Sequence, residues 1–275
     1  MATAGKLLGL TPGAVTRNEA LLVLAHVLGV RKESLIAHPE RVVDAASEAR
    51  FEEALERIAA GFPATYFLGR QSFWGRDFVV TPDVLIPRAD TETLVESALD
   101  YANQLEAPRI LDLGTGSGAI AITLALEVPG ASVVATDISP AALQIAQKNA
   151  NVLKADVRFL QSDWFASLAH ERFDLIVSNP PYIHPEDEHL AALRFEPHMA
   201  LTDGIDGLSY LSHIIAQAPK HLKACGTLLL EHGYDQGHAV RALCASGPFE
   251  AIHTIKDLGG NERVTCATIK PLEKS

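Results

Sequence analysis

The tetrapeptide Asn179-Pro180-Pro181-Tyr182 can do chemistry that none of its residues could do alone. Two successive prolines stiffen the backbone and remove two amide donors, so the segment presents acceptors: the Asn179 side-chain oxygen and the Pro180 carbonyl. Tyr182 adds a flat surface against which a planar group can pack. The array suits a planar NH2 group whose two hydrogens are claimed by the two acceptors while its lone pair is turned toward an electrophile. Asn179, Pro180 and Tyr182 are therefore the expected catalytic residues, acting by orientation and preorganised electrostatics. A second cluster is Asp112-Leu113-Gly114-Thr115-Gly116-Ser117-Gly118, whose alternate glycines permit a tight turn and close approach of a ligand. Asp137, nineteen residues beyond Gly118, is placed to accept both hydroxyls of a ribose. Gly114-x-Gly116-x-x-Ala119 also satisfies the dinucleotide fingerprint, so the loop by itself leaves a nicotinamide cofactor open.

These residues need a frame that brings distant loops together. From Arg109 onward, short β-branched or Leu-rich runs (Ile110–Leu113, Ser132–Thr136, Val157–Leu160, Leu175–Ser178, Thr227–Leu230) alternate with helical stretches (Ala119–Leu126, Ala141–Leu153, Leu208–Leu222). That alternation predicts an α/β fold with a mainly parallel sheet covered on both faces. Ala251–Ile255 and Val264–Ile269 around a Gly-Gly-Asn turn predict a closing antiparallel hairpin. In such a sheet ligands bind beyond the carboxyl ends of the strands, where the glycine loop, Asp137 and Asn179 all fall. Upstream, Thr16-Arg17-Asn18-Glu19 has capping-box spacing before a helix ending at Gly29, and a second helix is expected from about Ser47 to Ala60. Residues 73–86 read as a short hairpin, followed by a helix capped by Asp90 or Thr91 and running to about Gln104. Residues 1–70 are thus expected to form a small helical substrate-recognition domain or, equally on these residues, a stabilising cap; 71–88 are expected to form a hairpin linker, and 89–275 the catalytic domain.

Further motifs sharpen the reading. Pro63-Ala64-Thr65-Tyr66-x-x-Gly69, Phe73-Trp74-Gly75, Ile86-Pro87-Arg88-x-Asp90-Thr91-Glu92, Asp206-Gly207-Leu208, Glu231-x-Gly233-x-x-Gln236 and Asp257-Leu258-x-Gly260-x-x-Arg263-Val264 accompany Asn-Pro-Pro-Tyr over nearly the whole chain. Together they resemble the release factor glutamine methyltransferases, class I S-adenosylmethionine-dependent enzymes. The resemblance implies methylation of the glutamine in the Gly-Gly-Gln loop of peptide chain release factors. It implies a cofactor site of Gly114, Thr115, Gly116, Ser117, Gly118 and Asp137, with Asp163 and Trp164 around the adenine and Asn179 at the reacting end. Asn179, Pro180, Pro181 and Tyr182 would receive the glutamine. Ala89 replaces a proline usual in the family, and His232 stands where isoleucine is common, which puts local packing in question.

Composition sets outer bounds. With 275 residues and 48% hydrophobic side chains the chain can bury a full core. The first 70 residues balance eight basic against eight acidic groups, so the remainder carries the whole net charge of −11. An acidic body repels phosphate backbones and argues against nucleic acid as a direct partner. Cys225, Cys244 and Cys266 form no Cys-x-x-Cys pair, which fits a reducing cytoplasm. The apolar run from Ala20 to Val30 is too short to span a membrane. His184, His189 and His198 lack metal-ligand spacing, so no metal is expected, and the protein is expected to be a monomer. Arg88 and Glu92 read equally as a helix-start pair or as groups closing the site. Competing functions are methylation of a glutamine on a ribosomal protein, methylation of adenine in nucleic acid, nicotinamide-dependent oxidoreduction, and ligand binding without catalysis.

Overall fold

The computed structural model describes residues 2–270; Met1 and residues 271–275, where the expected domain spans end, lie outside the described residues. Two compact units emerge, one ending at Arg70 and the other beginning at Gln71.

The first unit is built from α1 (Ala4–Gly9), α2 (Arg17–Leu28), α3 (Lys32–Ala37), α4 (Ala45–Ala59) and α5 (Ala64–Leu68). At the start of α2 the Glu19 amide donates to Thr16 Oγ1 and the Thr16 amide donates to Glu19 Oε2. Each thereby satisfies a donor that the first helical turn leaves exposed. Helix α4 begins two residues before Ser47 because Asp44 is the stronger cap, its carboxylate accepting from the Ala46 and Ser47 amides. Val23, Leu24, Phe51 and Leu55 fill a separate apolar core. The shorter helices α1, α3 and α5 span about a turn and a half each, too little for periodicity to reveal them.

At the start of the second unit, β1 (Arg70–Phe73) and β2 (Arg76–Val79) form a two-stranded hairpin whose Phe73 and Phe78 are buried in this unit's core. A 3₁₀ turn over Ala89–Thr91 leads into α6 (Glu92–Ala102). Neither expected cap operates there, since Thr91 is helical, buried and makes no capping hydrogen bond; its hydroxyl faces the site described below. The remainder alternates as β3 (Arg109–Leu113), α7 (Ala119–Glu127), β4 (Ser132–Asp137), α8 (Pro140–Leu153), β5 (Val157–Gln161), β6 (Phe173–Ser178), α9 (Ser209–His221), β7 (Leu222–Glu231), α10 (Gly237–Ala245), β8 (Phe249–Lys256) and β9 (Glu262–Ile269). The seven strands lie in the order β5-β4-β3-β6-β7-β9-β8. All neighbours from β5 to β7 are parallel, and β9 runs antiparallel to both β7 and β8. This is the expected mainly parallel sheet with its closing hairpin.

Alternate residues of each central strand feed opposite cores. Ile110, Val133 and Leu175 pack with α6 and α7, while Leu111, Val134 and Ile176 pack with α9 and α10. Burial on both faces explains the continuous apolar runs. Strand β7 starts five residues before the expected Thr227, where Lys223 and Cys225 break the apolar pattern. Among the described residues, no helix is long and apolar enough to cross a membrane.

One buried polar residue ties the hairpin to the glycine loop. The Asn149 amide, on α8, accepts from Val79 N at 2.7 Å and donates to Val79 O at 3.0 Å and Ser117 O at 2.8 Å. Asn149→Ala should leave these backbone groups unpaired and lower stability by about 2–4 kcal/mol, given about 1 kcal/mol per bond plus the cost of unsatisfied partners. Urea denaturation measures this; a loss under ~1 kcal/mol would show that Asn149 is not the fastening.

Candidate active site

The order β4-β3-β6-β7 makes the sheet reverse direction between β3 and β6. Loops leaving the carboxyl ends of these strands therefore diverge to opposite faces and open a crevice between them. Leu113 and Ser178 are register partners, and Ser178 Oγ donates to Leu113 O at 2.7 Å. The glycine loop and Asn179 start one residue further on.

A cleft of about 870 Å3, open to solvent, occupies this position and is lined by Gly114, Gly116, Asp137, Asp163, Trp164, Asn179 and Pro181. Leu85, Ser139, Ala200 and Tyr210 complete its walls among others. The Gly114 and Thr115 amides donate to Thr136 O, each at 2.9 Å, which folds the loop over the end of β4. Gly116 N donates to Asp137 Oδ2 and Ser139 N to Oδ1, both at 2.9 Å. Burial nevertheless dominates and raises the Asp137 pKa, with the amide bonds opposing it. Each carboxylate oxygen keeps a lone pair for a further donor such as a diol hydroxyl. Trp164 lies beside Gly114, where an added Cβ would come 3.7 Å from the indole, and packs tilted against Tyr210 with ring centroids 5.1 Å apart. Asp163 is exposed beside it.

The other expected loop residues do not line the cleft. Thr115 Oγ1 donates to buried Asp112 at 2.7 Å, and the Ser117 carbonyl is held by Asn149. Gly118 has φ +81, and an added Cβ would meet Ile122 Cδ1 at 2.8 Å and Ala146 Cβ at 3.2 Å. Glycine there lets α7 and α8 approach closely. These three residues shape the loop whose backbone forms the cleft.

Beside the cleft a smaller cavity of about 360 Å3 is lined by Pro180, Tyr182, Arg88, Ile183, Leu193 and Leu201, and it shares Leu85, Asn179 and Ala200 with the first. Asn179 thus borders both spaces. Its Nδ2 donates to Thr91 Oγ1 at 3.2 Å, which leaves Oδ1 as its acceptor. The Tyr182 hydroxyl donates to Glu231 Oε1 at 3.3 Å, and burial pushes the phenol pKa upward. Gln236 holds the tetrapeptide from behind: Nε2 donates to the Tyr182 and Gly207 carbonyls at 3.0 and 3.2 Å, while Oε1 accepts from Gly233 N at 2.8 Å.

Arg88 and Glu92 do not pair with each other. Arg88 bonds buried Glu196, which also accepts from Ile86 N at 3.1 Å, and Glu92 accepts from Trp74 N at 2.8 Å. His232 packs without strain on donors or acceptors: the ring is fully buried, with Nδ1 against Gly233 O and Nε2 against Thr265 Oγ1, both at 2.8 Å, and burial lowers its pKa. Of the discounted histidines, His189 pairs with Asp187 at 2.6 Å and His184 accepts from Glu186 N at 3.2 Å.

Among the described residues, Asp112 and Glu231 are the two fully buried carboxyls. Burial pushes Asp112 and Glu231 up to about 7. For Glu231 the Thr91 hydroxyl, Arg263 and Tyr182 partly offset burial, and Asp90 adds to it. Arg263 is in turn held by Asp257 at 3.0 Å and lies 3.5 Å from Asp90. The sequence offered Thr91 only as a helix cap and motif member, carried Glu231 and Gln236 only within a family motif, and gave Tyr210 no role. A carboxylate closing the apolar run Leu228–Leu230 was the available signal, since buried charge needs a reason.

Residues 90–195 match the family model described as Methyltransferase small domain, and residues 11–69 match that of the PrmC N-terminal domain. The chain is 50% identical to a release factor glutamine methyltransferase of Bordetella pertussis over 92% of this chain and 95% of that one. It is 46% identical to one of Pseudomonas aeruginosa, covering 90% and 91%. Among solved structures, a methyltransferase from Pyrococcus furiosus matches with TM-score 0.54 and 18% identity over 73% of this chain and 92% of that one. A 16S rRNA methyltransferase from T. thermophilus, in complex with AdoMet and guanosine, matches with TM-score 0.54 and 22% identity over 73% of this chain and 50% of that one.

The buried Glu231 carboxyl makes stability depend on pH in a direction opposite to that of a salt-bridged acid. Its ordinary value is 4.5, and in the folded protein it lies at about 7 among Arg263, Asp90 and Tyr182. The native state holds the proton more tightly, so this stabilisation is complete below the unfolded value and is lost as pH rises through about 7. Glu231→Gln mimics the neutral form. Measured by urea denaturation, the variant should gain on the wild type between pH 5 and pH 8; a pH-independent difference would contradict the shift.

Proposed function

Since this chain belongs to the release factor glutamine methyltransferase family, we propose that the larger cleft holds S-adenosylmethionine, that the smaller cavity receives the substrate glutamine, and that Asn179 joins the two. The enzyme transfers a methyl group from S-adenosylmethionine to the glutamine side-chain nitrogen of peptide chain release factors; the glutamine of their Gly-Gly-Gln loop is the proposed target. The position of Asn179 on the shared wall of the two cavities carries this reading.

The cleft fits the cofactor chemically. Bare Gly114 and Gly116 admit a ligand close to the backbone, and Asp137 offers a vicinal diol one acceptor on each oxygen. Trp164 supplies an aromatic face and Asp163 a carboxylate at the same wall, as an adenine requires. Bound there, S-adenosylmethionine supplies an electrophilic methyl on a sulfonium.

What the protein contributes is orientation. An amide nitrogen is a poor nucleophile because its lone pair is delocalised into the carbonyl. Asn179 Oδ1 and the Pro180 carbonyl claim its two hydrogens, which turns the lone pair toward the cleft. Both bonds strengthen as the nitrogen gains positive character, so they favour the transition state over the bound substrate. Tyr182, anchored through Glu231, packs against the planar amide.

We assign recognition of the release factor body to the N-terminal helical unit, supported by its separate core and its match over residues 11–69. Removing residues 1–60 should spare S-adenosylmethionine binding and reduce methylation of an intact release factor at least tenfold. Equal rates for a folded truncation would reduce the unit to a stabilising cap.

Transfer of radiolabelled methyl to a purified release factor tests the main reading, and no label on a factor whose Gly-Gly-Gln glutamine is replaced should follow. Asn179→Ala should slow turnover by roughly 10²–10³, the scale of losing one preorganised transition-state contact. Asp137→Ala should instead weaken cofactor binding by about 2–3 kcal/mol in calorimetry. Turnover above about a tenth of wild type in Asn179→Ala, a loss under ~1.4 kcal/mol, would remove Asn179 from its role.

A further inference from the structure

An asparagine amide presents an oxygen at one end and an NH2 at the other, and the two are nearly isosteric. The role proposed for Asn179 requires its oxygen to face the substrate, and the present inference rests on that reading. Something must prevent the amide from turning over, because its NH2 would repel a substrate NH2. Resting on that role, we infer that Thr91 is a positioning residue that fixes the orientation of the Asn179 amide, and that buried Glu231 is what makes Thr91 able to do so.

Thr91 Oγ1 lies 3.2 Å from Asn179 Nδ2. A hydroxyl can accept or donate, so Thr91 alone would serve either orientation of the amide. Glu231 breaks the symmetry. Its carboxyl is fully buried, the Thr91 hydroxyl is one of the groups that favour its charged form, and Oε2 has no direct hydrogen-bond partner among the described residues. Once ionised, above about pH 7, the carboxylate can only attract donors, so it draws the Thr91 hydroxyl proton toward itself and leaves the hydroxyl oxygen to accept from Asn179. The NH2 end is thereby held at Thr91 and the oxygen end is held toward the cavities.

The fold brings these groups together from separate elements. Ser178 of β6 and Leu230 of β7 are register partners, so Asn179 and Glu231 leave adjacent parallel strands side by side. Thr91 enters from the 3₁₀ turn before α6, is 5% exposed, and as a β-branched residue has a restricted χ1. Glu231 Oε1 meanwhile accepts from the Tyr182 hydroxyl. One carboxylate therefore orders both ends of the Asn-Pro-Pro-Tyr segment.

Thr91→Val keeps the shape and removes the hydroxyl. We expect turnover on a release factor to fall about 10- to 100-fold. The KM for the factor and the calorimetric affinity for S-adenosylmethionine should each stay within about threefold. Thr91→Ser should restore most of the turnover. On an Asn179→Ala background the valine should cost less than about twofold more, since Thr91 acts through Asn179. If the valine variant does not fold, Thr91→Ala carries the same test. Turnover within twofold of wild type, no rescue by serine, or a full additional loss on the Asn179→Ala background would each overturn the inference while leaving the role of Asn179 standing. Unchanged turnover in Asn179→Ala alone would overturn both.

Discussion

Parallel pairing of β3 with β6 is the constraint on which the site depends. The chain winds outward from β3 through β4 and β5, then returns to lay β6 against the other edge of β3. The helices that follow β3 and β6 pack on opposite faces of the sheet, so a gap opens at the carboxyl ends of these two strands. The register of Leu113 with Ser178, with the Ser178 hydroxyl bonded to the Leu113 carbonyl, brings both strands to an end at the same height. A shift of one residue would turn Asn179 to the opposite face and separate it from the glycine loop.

Around that gap the protein places groups that are costly to bury. Asp112 and Glu231 lose their hydration, and each retains an oxygen without a hydrogen-bond partner among the described residues. Elsewhere the unit is stabilised by a sheet packed on both faces, which tolerates such a cost. In return the protein itself ties down the loops: Thr115 is bonded to Asp112, Tyr182 to Glu231, and the Tyr182 carbonyl to Gln236. The proposed orientation mechanism requires this, because a loosely held acceptor would stabilise the transition state no better than water does.

The same architecture occurs in methyltransferases that share only 18–22% identity with this chain. A fold at that distance does not define a substrate. Assignment to the release factor enzymes rests instead on relatives up to 50% identical across both chains. The proposed residue roles rest on Asn179 lining both cavities.

Much of this was legible in the sequence because it depends on near neighbours. Alternating apolar runs marked the strands and helices, Thr16 and Glu19 marked the start of α2, and the positions of the glycine loop, Asp137 and Asn179 followed from strand ends. Local rules failed where a polar residue has its partner far along the chain. Thr91 has the sequence signature of a helix cap, yet its hydroxyl meets Asn179, 88 residues away. Arg88 and Glu92 are neighbours on paper, but Arg88 bonds Glu196, 108 residues on. Asn149 offers no local sign that it fastens Val79 and Ser117. Helical and strand periodicity arises from backbone geometry repeated every few residues, so the sequence alone determined the elements and the strand ends that carry chemistry. Which buried donor meets which acceptor depends on strand order and register across crossovers, and only the tertiary structure decided that.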